Sequence, residues 1–244
     1  GVPMLYLEKA IGGSMREADS VLEACRAHGT IVNTGVLRRF DNRYWVIRDA
    51  IAGGEIGEPR AAVFYGESPL LHNHIHTIDT ISFLIGDPGI KAVRGQLHPR
   101  DQKFENNRLE FDPPATYEML YANGVEAWTI PVGPGEYEVF GTKGSIKSLN
   151  NGAANAVRHP RAAEGSWARM WDEATPPTVE LKSAVQAILE DLVDAHETGR
   201  PSLGNIELTH QVTEACLGVA ESHKRDGAWM KFPLEERDTY ILHR

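Results

Sequence analysis

Residues 2–37 read VPMLYLEKAIGGSMREADSVLEACRAHGTIVNTGVL, and the order of elements in this stretch decides the fold class. Val2 to Leu7 is a short apolar run of strand character. From Ser14 to Ala27 the apolar residues Met15, Ala18, Val21, Leu22 and Cys25 recur at helical spacing. Ser14 followed three residues on by Glu17 is a capping-box start, and His28-Gly29 is a helix stop. Residues 30–37, TIVNTGVL, form a second strand-like run, and a further helix is predicted from Asn42 to Ile51, ending at Gly53-Gly54. Strand, helix, strand, helix implies parallel pairing, as in the second half of a doubly wound nucleotide-binding domain.

Beyond Pro59 the pattern changes. Residues 60–67, 91–97, 116–130 and 137–149 are rich in β-branched and aromatic residues and read as strands, with Asn123-Gly124 as a hairpin turn inside the third. Consecutive strands joined by tight turns build an antiparallel sheet. One helix is predicted from His76 to Ile85. Two longer ones carry stripes at Val185, Ile188, Leu189, Leu192 and Val193, and at Val212, Ala215, Cys216 and Val219. The expected architecture is therefore an α/β remnant of a Rossmann domain over residues 1–58, then an α+β domain over 59–244. Its open, mainly antiparallel sheet would be covered by helices on one face. Residues 150–177, rich in Ala, Gly, Pro and charge around Trp167, Met170 and Trp171, read as a long loop.

The bulk properties restrict function. The sequence has 244 residues, 41% hydrophobic and 24% charged, which is ordinary for a folded domain and excludes disordered or collagen-like classes. A net charge of -9 argues against nucleic acid or an anionic membrane as partner, since either needs a concentrated positive field. Cys25 and Cys216 fall on or beside apolar helix stripes and read as core side chains. With no apolar run of membrane-span length and no signal-peptide pattern, the expectation is a cytoplasmic protein acting on a small molecule. The abrupt start in a strand suggests a piece of a longer reading frame, with a naturally shortened homologue as the alternative.

Three groups of residues could carry chemistry. His72, His74 and His76 alternate; on an extended segment they would share one face, with metal-ligand geometry. If a helix begins near His74 they diverge, and Asp79, three residues past His76, could orient that imidazole for proton transfer. Glu8-Lys9 follows the first strand, at the carboxyl end where open α/β sheets bind ligands. A lysine there could anchor a ribose or donate a proton. Arg38-Arg39 stands at the next strand's end, suited to a phosphate or to substrate hydroxyls.

The segments EKAI (8–11), RRFD (38–41), GEIGEP (54–59), HTID (76–79), VFGTKGSI (139–146) and ESHKRDG (221–227) occur in the order found in the glucose-fructose oxidoreductase, inositol dehydrogenase and MocA family. The chain resembles that family over nearly its whole length. The resemblance implies an NAD- or NADP-dependent oxidoreductase moving a hydride between a sugar or cyclitol hydroxyl carbon and nicotinamide, and a homo-oligomer formed through the open sheet. It makes Lys9 and His76 the catalytic pair, places His72, Asn73 and Asp79 at the substrate, and puts Glu8, Lys9 and Arg39 at the cofactor. Ala10 stands where the family carries a proline, and His72 where many members carry an aspartate. A sub-pattern similar to Leu70-Leu71-His72-Asn73-His74-Ile75-His76 makes Asn73 the polar orienter. The family's G-x-G-x-x-G, whose backbone approaches the pyrophosphate, is absent before Glu8. Two other classes stay open: a cofactor-independent carbohydrate-binding or assembly module, and a metal-dependent hydrolase or lyase using His72, His74 and His76.

Overall fold

Residues 1–162, 169–174 and 182–243 are described in a computed structural model. The opening stretch forms β1 (Met4–Tyr6), α1 (Met15–His28) and β2 (Ile31–Asn33), with the two strands paired in parallel. The Ser14 hydroxyl accepts the Glu17 amide at 3.3 Å, and the Glu17 carboxylate accepts the Gly13 amide at 2.8 Å, so two orphan donors at the start of α1 are satisfied. Gly29 ends the helix at φ +62°, a left-handed conformation that costs glycine little. After β2 the chain turns once as a short 3₁₀ segment, Leu37–Phe40, before α2 (Asn42–Ala52), whose N-cap Asp41 accepts the Arg43 amide at 3.0 Å.

A nine-stranded sheet follows, built from β3 (Pro59–Tyr65), β4 (Ile90–Leu97), β6 (Ala115–Tyr121), β7 (Glu126–Ile130), β8 (Glu136–Gly141), β9 (Ser145–Leu149), β10 (Ala154–Ala162), β11 (Arg169–Ala174) and β12 (Met230–Lys231). Its order is β11-β10-β9-β8-β3-β7-β6-β4-β12, and all neighbours run antiparallel except β3 and β7. Strand β3 thus lies between two strands that are consecutive in sequence, so the link from β7 to β8 is not a hairpin. A small parallel pair, β5 (Arg108–Leu109) with β13 (Tyr240–Ile241), lies outside this sheet. Side chains on β6 alternate strictly, with Ala115, Tyr117, Met119 and Tyr121 buried.

Helices α3 (Ile75–Leu84) and α5 (Ile206–Lys224) bury their apolar residues in the same core. Helix α5 lies directly on β4, and glycines permit the close approach: a Cβ on Gly95 would come within 2.9 Å of Val219, and one on Gly218 within 2.7 Å of Val93. Helix α4 (Ala184–Thr198) turns Ile188, Leu192 and Ala195 inward and returns to pack on β1 and β2. There the Asn33 amide donates to Asp191 at 3.1 Å, and the Thr34 amide to the Gly204 carbonyl at 3.0 Å. Cys25 and Cys216 are both buried and free.

The segment expected to be a loop over residues 150–177 instead contributes β10 and β11 to the sheet. Its residues lack apolar alternation because these outer strands are held by the backbone ladder and by polar cross-strand pairs such as Arg161–Asp172 at 2.6 Å. Trp171 is exposed on β11, and Trp167 lies outside the described residues. No helix among the described residues is long and apolar enough to cross a membrane.

Candidate active site

The histidine-rich stretch is neither extended nor plainly α-helical. Leu70–His74 forms a π-helical turn that runs into α3, a widened turn recurrent at functional sites. Asp112 fixes the turn's first residues, its two carboxylate oxygens accepting the amides of Leu71 at 2.9 Å and His72 at 2.7 Å. The His72 carbonyl then accepts the Lys9 amine at 2.6 Å. One carboxylate therefore sets the turn, and the turn sets the lysine.

The wide turn sends the three imidazoles in different directions. His72 is exposed, and its role in this arrangement is carried by its backbone rather than by the side chain expected at the substrate. His74 is fully buried, with Nδ1 at 3.0 Å from the Tyr117 hydroxyl and its ring edge-on to Phe64 and Tyr117; burial pushes its pKa down to about 4. His76, at the start of α3, lines a cavity of about 310 Å³ together with Arg38, Asn73, Thr77, Tyr137 and Asn151. Burial first, then the charges of Arg38 and Lys9, push the His76 pKa down to about 3, so the ring is neutral. The three histidines share no site, and the described residues contain no cluster of three metal-capable side chains. The geometry thus counts against the metal-centred reading of His72, His74 and His76.

Asp79 does not orient His76. It is 1% exposed and accepts the Arg39 Nε at 2.7 Å, while the two Nη groups of Arg39 donate to Asp87 at 3.0 and 2.7 Å. Arg39, expected beside the cofactor, and Asp79, expected beside the substrate, are instead sealed together under α3. The reason is helical geometry: three residues beyond His76, Asp79 falls one turn deeper on the inward side, where nearly every residue of α3 is buried. The arginine that reaches the cavity is Arg38. Its Nε donates to the Tyr44 hydroxyl at 3.2 Å and its Nη2 to Asn151 Oδ1 at 2.8 Å, and its guanidinium stands 5.5 Å from the centre of the Tyr137 ring.

Glu8 and Lys9 stand just beyond β1, after Leu7, and the bond from Lys9 to Ala10 is cis. Glu8 accepts the Tyr6 hydroxyl at 2.9 Å. Partial burial lowers the Lys9 pKa, with Glu8 and Asp112 acting against it. A half-buried amine engaged by a single carbonyl, at the carboxyl end of a parallel strand, suits the nicotinamide-ribose end of a dinucleotide. No glycine-rich turn that would cradle the pyrophosphate stands among the described residues.

Reading by pattern missed Asp112, Tyr137 and Asn151, which come to the site from distant strands and loops. Only the Asp112-Pro113-Pro114 turn left a local trace.

No family model matches the chain. A scyllo-inositol 2-dehydrogenase (NAD(+)) of Bacillus subtilis (strain 168) is 30% identical over 164 residues, which is 58% of this chain and 47% of that protein. The chain spans about half the length of the curated relatives it matches, 48% and 47%. Among solved structures, the aldose-aldose oxidoreductase from Caulobacter crescentus complexed with glycerol superposes with a TM-score of 0.72 at 16% identity, covering 93% of this chain and 71% of the other. An inositol dehydrogenase homolog from Azotobacter vinelandii, complexed with NADH and myo-inositol, gives 0.71 at 16% identity over 93% and 71%. The chain's sequence relatives and structure neighbours are thus oxidoreductases of the glucose-fructose oxidoreductase, inositol dehydrogenase and MocA type, and the chain shares their fold.

Proposed function

We propose that this chain serves an oxidoreductase that exchanges a hydride between a hydroxyl-bearing carbon of a sugar-like or cyclitol-like substrate and a nicotinamide, NAD or NADP. The observation that carries the reading is the convergence of His76 and Lys9, held by α3 and by the end of β1, beside a polar cavity of about 310 Å³. The relatives and neighbours whose names include inositol, NAD(+) and NADH support it.

The nicotinamide, when bound, supplies the two-electron acceptor or donor. The substrate hydroxyls are held by Arg38, Asn73, Thr77 and Asn151, whose polar groups line the cavity. The neutral imidazole of His76 takes the proton of the reacting hydroxyl in the oxidative direction and returns it in the reductive one. The Lys9 amine, positioned by the His72 carbonyl, holds that hydroxyl oxygen and the nicotinamide ribose.

The test is reduced-nicotinamide absorbance with a panel of sugars, sugar acids and cyclitols, comparing the protein with its His76→Gln and Lys9→Met variants. Turnover that drops about a hundredfold or more in each variant is expected, the range for loss of a general acid or base. Absence of both turnover and nicotinamide binding would overturn the proposal.

A further inference from the structure

The two arginines after β2 are neighbours in sequence and opposites in charge balance. Arg39 is 2% exposed and compensated by two carboxylates, Asp79 and Asp87. Arg38 hydrogen-bonds and stacks only with neutral groups: the Tyr44 hydroxyl, the Asn151 side-chain oxygen, and the faces of Tyr44 and Tyr137 at 5.8 and 5.5 Å from the ring centres; the one carboxylate acting on it through its field, Asp79, is already paired with Arg39. No carboxylate among the described residues forms an ion pair with it. Glu67 also lines the cavity, but it is exposed at the rim and makes no ion pair with Arg38.

A guanidinium clamped between two tyrosines has lost most of its freedom and much of its water. Such a group gains most from an anion delivered to its remaining donors, because charge-assisted hydrogen bonds strengthen as solvent is excluded. Nη1 of Arg38 makes none of the protein hydrogen bonds described above, and Arg38 shares the cavity lining with His76.

We propose that Arg38 receives a carboxylate of the substrate, so that this site prefers polyhydroxy acids, uronate-like or aldonate-like, over neutral sugars and cyclitols. The inference rests on the reading of the cavity as the substrate site and names the substrate's class. It also relieves a difficulty at His76. His76 faces two cations, Arg38 and Lys9, which oppose its protonation; an anion on Arg38 cancels one of them and makes the ring a better base when the right substrate is present.

Calorimetry on the protein, without cofactor, compares D-glucuronate and D-gluconate with D-glucose, myo-inositol and D-glucose 6-phosphate. The two acids are expected to bind at least about tenfold more tightly than the neutral compounds, as a charged hydrogen bond gained in a shielded site implies. Arg38→Gln should erase that preference, and Arg38→Lys, which keeps the charge but not the planar fork, should retain part of it. Equal binding of acids and neutral compounds, tighter binding of the sugar phosphate, no binding of any probe, or an unchanged preference in Arg38→Gln would overturn the proposal. Should Arg38→Gln fail to fold, a preference undiminished in Arg38→Lys overturns it instead. Acid binding without hydride transfer would remove the oxidoreductase reading and leave this one. Turnover of neutral sugars with equal binding would do the reverse.

Discussion

At the scale of single residues, the contrast between Arg38 and Arg39 governs what can be tested. The Arg39–Asp79 pair is inside the protein, and removing one partner leaves an uncompensated charge there. Arg39→Met should destabilise the fold by about 3–5 kcal/mol, read from urea unfolding, whereas a loss under about 1 kcal/mol would show that the pair is dispensable. The placement of Lys9 after a strand and of His76 at the start of a helix was legible in the sequence, because an apolar run precedes the one and a helical pattern follows the other. The choice between Arg38 and Arg39 was not legible. A one-residue step around a tight 3₁₀ turn rotates the side chain by about a third of a circle, which decides between cavity and core, and composition carries no trace of that rotation.

At the scale of elements, the π-helical turn at Leu70–His74 is the part most exposed to perturbation, since Asp112 alone receives the amides of Leu71 and His72. Asp112→Ala should leave two donors unpaired, cost about 1–3 kcal/mol locally, and speed amide exchange at Leu71 and His72 while exchange in α5 is unchanged. Unchanged protection at those two amides would show that the turn holds itself. The opening strand-helix-strand unit, its cap at Ser14 and its stop at Gly29 could be read from the residues because each is a local signal. Strands β10 and β11 could not, because they are stabilised by partners across the sheet rather than by their own pattern. The same limit applies to β3, whose place between β7 and β8 is a matter of topology.

For the molecule as a whole, acid should be destabilising in a window set by its buried imidazoles. His74 has its pKa pushed from an ordinary 6.5 down to about 4 by burial, so the unfolded chain binds its proton first as pH falls. Its contribution is complete above about pH 6.5 and is lost as pH drops toward 4, amounting to about 3 kcal/mol. His74→Gln, which preserves a partner for Tyr117, should flatten the fall in stability between those pH values; an identical slope in both proteins would refute the assignment. Asp79, raised by burial to about 6, acts in the opposite sense, which is why the comparison with the variant is needed.

The return of α4 onto β1 and β2 has a consequence for how the chain reaches this state. Asn33 finds Asp191 across a sequence separation of 158 residues, so the opening parallel pair cannot close its own core from local contacts. As the polypeptide emerges during synthesis, β1, α1 and β2 wait for α4 and α5. The lysine that follows β1 waits in the same way for the turn that Asp112 fixes, so the site is assembled only as distant parts of the chain come together.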